Sequence, residues 1–352
     1  MNDTTGSINS AAAGWVVFLI PFGGYLFTLS PSVYVGDSGE FIAAAFSLGI
    51  AHNPGYPLYA LAGKLFALIP LGNIAFRLNL MSAFFGAMAV WITFQIICRL
   101  TRSQSAAVPA ALLFAFSATL WSQTGMAEVY ALHMFLVALL VRLLVGWHET
   151  GSFARLVLFA FVVGLSFGNH MQTVMLAPAM LFFVIRTDPE TLFNLRRLFF
   201  LIFFFMLGLS IYIYLPVRTE AGAAIHWGDP DSLKRFFHHV TAADHRSAYT
   251  INQSGAAYAL RLAGAMKDLL GQYHLLTVFA LIGWMGRNDL KHKIFWVLVI
   301  IFDLTYTVFL NTIALEITPF QLSSVIVLAI LIGQGIARVL QSGALDPPGR
   351  GR

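Results

Sequence analysis

Residues 198–216 form one uninterrupted apolar run, LFFLIFFFMLGLSIYIYLP, which contains no charged side chain. About 20 apolar residues in a helix cross the hydrocarbon core of a bilayer. Arg196 and Arg197 precede the run and Arg218 follows it, so charges stand at its two ends. The stretch therefore predicts a transmembrane helix.

Similar runs recur along the whole chain. Ala11–Ser30 is one of them, and because residues 1–10 contain no Lys or Arg, we expect a retained first helix and not a cleaved signal. The pattern predicts an all-α polytopic membrane protein with about ten transmembrane helices. The predicted spans are residues 12–30, 77–98, 106–121, 127–146, 155–169, 171–186, 198–216, 273–286, 294–311 and 319–338.

The composition of the chain excludes an ordinary soluble protein. Hydrophobic residues make up 58% of the 352 residues and charged residues 11%, against about 25% charged in soluble domains. The mean hydropathy is +0.76. Lys and Arg stand singly between apolar runs, so no nucleic-acid surface is predicted. Cys98 is the single cysteine, which excludes an internal disulfide.

The placement of Lys and Arg predicts the orientation in the membrane. Cytoplasmic segments are enriched in these residues, and the count favours both termini inside. On that orientation thirteen of the 21 are cytoplasmic: Arg99, Arg102, Arg142, Arg155, Arg186, Arg196, Arg197, Arg287, Lys291, Lys293, Arg338, Arg350 and Arg352. Most of the others, Arg246 among them, fall at or within residues 217–272, a loop too long for the rule.

Two long segments then lie outside the membrane. The first outer loop, residues 31–76, contains two apolar stretches, 40–51 and 57–69, that predict helices lying in the interface. The second outer loop, residues 217–272, is the most polar part of the chain. We expect one transmembrane domain over residues 1–340 and a short cytoplasmic tail over 341–352.

Asp37 and Glu40, in the sequence GDSGE, directly follow the first span. Spaced three apart, they share one face of a helix. They fit a capping box that begins the 40–51 helix, and equally a carboxylate that acts as a general base at the membrane surface. The two interpretations are compatible.

Further polar groups stand near predicted outer helix ends. His52 and Tyr56 flank a Pro-Gly turn, which by itself only predicts a link between two interfacial helices. Glu128 favours the start of a helix, and His133 lies one turn deeper. His170 occupies a turn, and a single histidine at a turn more often has a structural role.

The second outer loop adds His226, Trp227 and Asp229, in a segment where Asp-Pro favours a turn. Trp227 suits the interface or the face of a sugar ring. Arg77 and Arg218 stand at outer helix ends, where a guanidinium could bind a lipid phosphate. Asp303 lies within a span and needs a partner.

Most of these groups fall on one side of the membrane, which is typical of an enzyme that acts on a lipid-linked substrate. The ones assigned to that side are Asp37, Glu40, His52, Glu128, His170, His226, Asp229 and Glu316.

The same segments resemble the DUF2723 family, glycosyltransferases of the GT-C superfamily that include protein O-mannosyltransferases. The matching motifs occur in order along about residues 15–340. They are GDSGE (36–40), LGIAH (48–52), PGYPL (54–58), AEVYALH (127–133), GLS (164–166), GNH (168–170), YLPVR (214–218) and WGDP (227–230). Position 53 departs from the family, with Asn where Pro is expected.

The resemblance implies a GT-C-like helical bundle and an inverting transferase. It would move a sugar, by analogy mannose, from a polyprenyl-phosphate donor to a protein or glycan hydroxyl. The catalytic base of the first outer loop would be Asp37, with Glu40 beside it. Asp37, Glu40 and His52 are of the types that hold a divalent metal, which the sequence does not decide. We expect a bacterial inner membrane and a periplasmic active site.

Two other classes of protein stay open. A secondary transporter would place charges at mid-bilayer and repeat its helices, and only Asp303 and inner glycines favour it. A non-catalytic assembly protein would share the topology without explaining the clustered acids and histidines. No phosphate-binding loop for a nucleotide sugar is present in the sequence.

Overall fold

The computed structural model describes residues 4–243, 254–286, 289–311 and 317–344. Within these ranges the chain is nearly all helical and contains no strand, which confirms the predicted all-α class. Several residues assigned above to one side of the membrane lie outside the described residues, as does the tail beyond residue 344: Arg246, Arg287, Glu316, Arg350 and Arg352.

Seventeen α-helices follow one another in the described part of the chain. They are α1 (Thr4–Phe27), α2 (Ser38–Ser47), α3 (Pro57–Ala67), α4 (Ile74–Thr101), α5 (Gln104–Ala115), α6 (Ala118–Thr124), α7 (Val129–Thr150), α8 (Phe153–Phe167), α9 (Gln172–Thr187), α10 (Glu190–Phe193), α11 (Leu195–Leu209), α12 (Tyr214–Glu220), α13 (Leu233–Val240), α14 (Gly255–Gly271), α15 (Thr277–Trp284), α16 (Leu290–Thr305) and α17 (Leu322–Ala344). Short 3₁₀ or π segments extend several of them.

Five helices of the described residues are long and apolar enough to cross a membrane. They are α4, α7, α11 continued to Glu220, α16 continued to Leu310, and α17 with the turn before it. The apolar part of α1 and helices α8, α9 and α15 are shorter. The protein is a multi-pass membrane protein, and each predicted span contains a helix, but the count of ten is not confirmed.

The predicted span 106–121 is not one straight helix. It divides into α5 and α6, which meet at an angle of 62° and would bring the count of spans to six if taken together. Ser117 leaves the helical conformation and begins α6, and its hydroxyl donates to the carbonyl of Phe114. On α6, the backbone N–H of Thr119 donates to the side chain of Gln272, 3.0 Å away. Polar groups within the protein thus satisfy part of the backbone hydrogen-bonding groups that the break between α5 and α6 leaves unpaired.

The centre of the bundle is formed by α4, α7 and α17, whose faces are largely buried, whereas α11 exposes most of its apolar side chains. An exposed apolar helix surface is what lipid contact requires. Helix α11 packs closely on α8 because glycines face each other there. A Cβ added to Gly164 would lie 2.1 Å from the carbonyl oxygen of Phe205, and one added to Gly208 equally close to that of Phe161.

The two outer loops are largely helical. The first contains α2 and α3, in agreement with the helices predicted over 40–51 and 57–69. The second contains α12, α13 and α14, and its residues 244–253 are outside the described ranges. Sequence analysis placed no helix in 217–272, because the 17 residues of α14 are interrupted by glycine and carry mixed charge.

Candidate active site

Asp37 and Glu40 occupy the first turn of α2, but they do not form the capping box that their spacing suggested. Asp37 is the N-cap residue, and its side chain makes no capping hydrogen bond. The Glu40 carboxylate instead accepts hydrogen bonds from His52: Oε1 from the backbone N–H at 2.6 Å and Oε2 paired with ring Nδ1 at 3.1 Å. The capping-box interpretation was wrong because His52, twelve residues onward, forms the hydrogen bonds of the Glu40 carboxylate.

The Glu40–His52 pair continues to a tyrosine. The Tyr56 hydroxyl lies 3.3 Å from Nε2 of His52, and the two rings pack edge to face. Partial burial opposes ionisation of Glu40, but the hydrogen bonds from His52 outweigh it, so the pKa of this carboxyl lies below its usual value. Glu40 is therefore ionised at neutral pH, and it orients the imidazole.

Asp37 is exposed and stands beside this pair. One carboxylate oxygen each from Asp37 and Glu40 and one ring nitrogen of His52 lie within 4.8 Å of one another. Two carboxylates and an imidazole fit a divalent cation such as Mn²⁺. Glu40 would then have to share its oxygens between the cation and His52.

Glu128 and Tyr59 add a second layer beneath Gly36. Glu128 is the N-cap of α7, and its Oε1 would lie 3.7 Å from a Cβ added to Gly36. The Tyr59 hydroxyl is buried and has no hydrogen-bond partner among the described residues. Burial, together with the nearby charge of Glu128, raises the pKa of Tyr59 well above its usual value. Tyr59 is therefore an uncharged donor.

His133 and His170 pack against each other behind this layer, with tilted rings whose centroids are 5.0 Å apart. Nδ1 of His170 accepts a hydrogen bond from the backbone N–H of Gln172 at 3.1 Å, which leaves the proton on Nε2. Burial, with a smaller effect from His52, lowers the pKa of His170 to about 4. His170 is therefore neutral at pH 7.

The second outer loop docks against the turn that leads to His52. The backbone N–H of Ile50 donates to the Ile225 carbonyl at 2.7 Å, and that of Trp227 donates to the Ile50 carbonyl at 3.2 Å. His226 pairs with Asp229, Nδ1 to Oδ1 at 2.5 Å, and both are about half exposed. Trp227 is likewise half exposed. The structure thus brings this motif beside the first outer loop at Ile50.

Arg218 and Arg77 both bind backbone carbonyls. Arg218 Nε donates to the Leu48 carbonyl at 2.6 Å, at the C-terminal end of α2, where the helix dipole favours a cation. Arg77 uses Nε, Nη1 and Nη2 on the carbonyls of Leu71, Ala67 and Gly72. Both arginines therefore hold the outer loops in shape.

A cavity of about 530 Å³ adjoins the His52–Tyr56 pair. Its wall contains both polar and apolar side chains, and the second outer loop contributes Thr241, Ala242 and Tyr258. The lining residues are Asn53, Pro54, Tyr56, His170, Met171, Val174, Met175, Thr241, Ala242, Tyr258, Tyr306, Phe309 and Leu310. Tyr59 and Tyr306 carry no local sequence signal of a functional role, because a tyrosine in an apolar helix resembles an ordinary core residue.

Asp303 finds its partners inside the bundle. Its Oδ1 accepts from the Gln172 amide at 2.5 Å, and its Oδ2 accepts from the backbone N–H and hydroxyl of Ser324 at 2.8 and 2.7 Å. A carboxyl held by three donors joins α9, α16 and α17. The group therefore has a structural explanation and gives the transporter hypothesis no support.

Relatives of this chain are known. The family described as Protein O-mannosyl-transferase TMEM260 N-terminal domain matches residues 37–192. The chain is 32% identical over 340 residues to Protein O-mannosyl-transferase TMEM260 of Mus musculus, a match that covers 90% of this chain and 48% of that protein. It is 25% identical over 353 residues to Protein O-mannosyl-transferase tmem260 of Dictyostelium discoideum, covering 90% of this chain and 43% of that protein.

This chain spans about half the length of the curated relatives it matches. The matched family domain begins at Asp37 and contains Glu40, His52, Glu128 and His170, so it includes the cluster described above. These matches support the assignment of the chain to a TMEM260-like family.

Proposed function

We propose that the chain is a membrane glycosyltransferase that moves mannose from a polyprenyl-phosphate donor to a protein hydroxyl, with inversion at the anomeric carbon. The observation that carries the proposal is the contact between two features. An exposed acid, Asp37, stands beside the Glu40–His52 pair, and this pair is joined through Tyr56 to a cavity lined by both polar and apolar side chains. The names of the relatives support the reaction class.

Asp37 is the proposed general base. Its carboxylate is exposed at the start of α2, where an acceptor hydroxyl can approach, whereas Glu40 is held by His52. The acceptor oxygen bonds to the anomeric carbon as its proton passes to Asp37. The bond from that carbon to the phosphate oxygen breaks, and the electron pair leaves with the polyprenyl phosphate. The sugar passes through an oxocarbenium-like state.

The cavity is the proposed donor site. Asn53, Tyr56 and His170 provide polar groups for the sugar and phosphate. Val174 and Leu310 belong to the apolar wall, where the first isoprenoid units can lie. Glu128 and His133, behind the Asp37 turn, are proposed to orient the sugar, and Trp227 to cover it.

Two groups are proposed to stabilise the leaving phosphate. Neutral His170 has its proton on Nε2 and can donate to a phosphate oxygen. Nη1 of Arg218 makes no hydrogen bond within the described part of the chain, so it is more available than Arg77. A divalent metal held by Asp37, Glu40 and His52 would supply Lewis-acid stabilisation of the same charge.

The reaction is proposed to occur on the periplasmic face of a bacterial inner membrane, with both termini in the cytoplasm. The distribution of Lys and Arg supports this orientation. In a Cys98→Ser background, an impermeant maleimide added to intact cells should label Ser32→Cys on the first outer loop. Thr150→Cys at the other end of α7 should be labelled only after lysis. The opposite pattern would overturn the assigned side.

The function can be tested with purified protein in detergent. Polyprenyl-phosphate mannose, labelled in the sugar, is incubated with a Ser/Thr-rich peptide, and radioactivity in the peptide is followed over time. We expect transfer from this donor and none from GDP-mannose, because the cavity wall suits a lipid tail. Transfer only from the nucleotide sugar would contradict the proposal. The proposal would also be contradicted if neither donor supports transfer and the protein, placed in vesicles, carries the lipid-linked sugar across their membrane.

A further inference from the structure

A second group of metal-binding side chains lies at the opposite end of the bundle. His148 is in the last turn of α7, and Asp289 and His292 are at the start of α16. Twenty residues of helix separate Glu128 from His148, which corresponds to about 30 Å. The group is therefore distinct from the first-loop cluster of Asp37, Glu40 and His52, and the proposed transferase reaction does not use it.

These three side chains converge across two helices. A ring nitrogen of each histidine and a carboxylate oxygen of Asp289 lie within 4.8 Å of one another. The imidazole centroids are 5.0 Å apart. Phe183 of α9 packs against both rings, at 5.8 and 5.1 Å, and fixes their orientation.

His292 provides an independent indication of a ligand. Its side chain is more than nine-tenths buried, and its Nε2 has no hydrogen-bond partner among the described residues. A buried nitrogen without a hydrogen-bond partner destabilises the folded protein, so such atoms usually serve a purpose.

We propose that His148, His292 and Asp289 bind a zinc ion that links α7 to α16. Two imidazoles and one carboxylate are a common three-ligand set for Zn²⁺, with water at the fourth position. Imidazole ligands favour zinc over Mg²⁺ or Ca²⁺, which prefer oxygen. Tetrahedral ligands stand about 3.4 Å apart, so small side-chain rotations would close the site.

Charged groups of both signs surround the site. Lys291 lies near Asp289, Nζ to Oδ2 at 3.3 Å, and competes with a cation for that carboxylate. Glu149, the next residue after His148, is paired with Arg99, whereas the C-terminal carbonyls of α7 favour positive charge at the site. A dication would replace the half-buried Lys291 at Asp289, and the long lysine side chain would turn away from the carboxylate.

Zinc binding can be measured directly. Protein is stripped with a chelator and titrated with Zn²⁺ alone by calorimetry, and its thermal unfolding midpoint is recorded with and without the ion. We expect Zn²⁺ to raise the unfolding midpoint of the wild-type protein. The dissociation constant should be at least tenfold larger in His148→Gln, His292→Gln and Asp289→Asn. Asp289 is half exposed, so Asp289→Asn tests the site without disturbing the fold.

Two controls separate this site from others. His274→Asn removes an exposed histidine elsewhere and should leave the titration unchanged. His52→Gln alters the first-loop cluster, and the zinc affinity assigned to the α7–α16 site should persist in it. Zinc binding that is lost in His52→Gln and retained in Asp289→Asn would overturn the proposal, as would a wild-type protein that binds no zinc.

Discussion

Glu40 accepts two hydrogen bonds from one residue, His52: one from its backbone N–H at 2.6 Å and one from its ring at 3.1 Å. Glu40 lies in the first turn of α2 and His52 lies beyond its last residue, Ser47, so the contact closes this segment into a loop. A carboxylate that receives a backbone and a side-chain donor keeps its charge and its position. Asp37, one turn earlier, is left exposed on a fixed element.

Glu40→Gln should reduce transfer without unfolding the protein. The amide oxygen can still accept from the His52 backbone, but the charge that orients the imidazole is lost. We expect kcat to fall about 10- to 100-fold with little change in the KM for the donor, because the pair positions the site and does not hold the lipid. Initial rates check this, with Glu220→Gln on the second loop as the matched control. Wild-type rates in Glu40→Gln would contradict the role of the pair.

The stability of the protein should decrease below neutral pH because of His170. Its pKa is about 4 when folded and 6.5 in the unfolded chain, so only the unfolded state takes up a proton between these values. The free energy of unfolding therefore has its full value with respect to His170 above pH 6.5. It decreases as the pH falls to about 4, by on the order of 3 kcal/mol in total. Thermal midpoints of wild type and His170→Asn should diverge over this range. Parallel curves would contradict the prediction.

Gly164 should not tolerate a side chain. A Cβ there would lie 2.1 Å from the Phe205 carbonyl oxygen, which only a separation of α8 from α11 can relieve. We expect Gly164→Ala to cost about 2–3 kcal/mol, as for other overpacked cores. Gly264→Ala on α14 is the control, since nothing lies within 4 Å of its Cβ position. Equal melting temperatures of the two variants would show that the close approach is absent.

Arg218 should affect both stability and donor binding. Its Nε caps α2, and Lys64 caps the same helix end by donating to the Phe46 carbonyl at 2.6 Å. Arg218→Gln and Lys64→Gln should each reduce stability by about 1–2 kcal/mol. Only Arg218→Gln should raise the KM for polyprenyl-phosphate mannose, by about tenfold, through loss of Nη1. Equal KM values in both variants would restrict Arg218 to capping.

Much of the helix order follows from local sequence. Apolar runs such as 198–216 specify a membrane helix by length and hydropathy alone, and the stretches 40–51 and 57–69 specify α2 and α3. The break at Ser117 was missed because serine is tolerated within membrane helices and only the docking of α6 near Gln272 shows its role.

The site depends on contacts between distant residues, which no local pattern encodes. The capping-box motif correctly indicates the start of α2, but the Glu40 carboxylate pairs with the His52 ring and does not cap the helix. The pairing of Ile50 with Ile225 joins segments 175 residues apart, and Asp303 finds Gln172 on another helix. Residue types and their shared side of the membrane could be inferred, whereas partners and the cavity could not.

The catalytic role of Asp37 is tested most directly by comparing wild type and Asp37→Asn with the same labelled polyprenyl-phosphate mannose. Donor binding is measured in parallel, together with the elution profile of each protein. The account predicts that Asp37→Asn binds the donor as wild type does and transfers at least a thousandfold more slowly, because the amide cannot take the acceptor proton. Transfer by Asp37→Asn at a rate near that of wild type would contradict it.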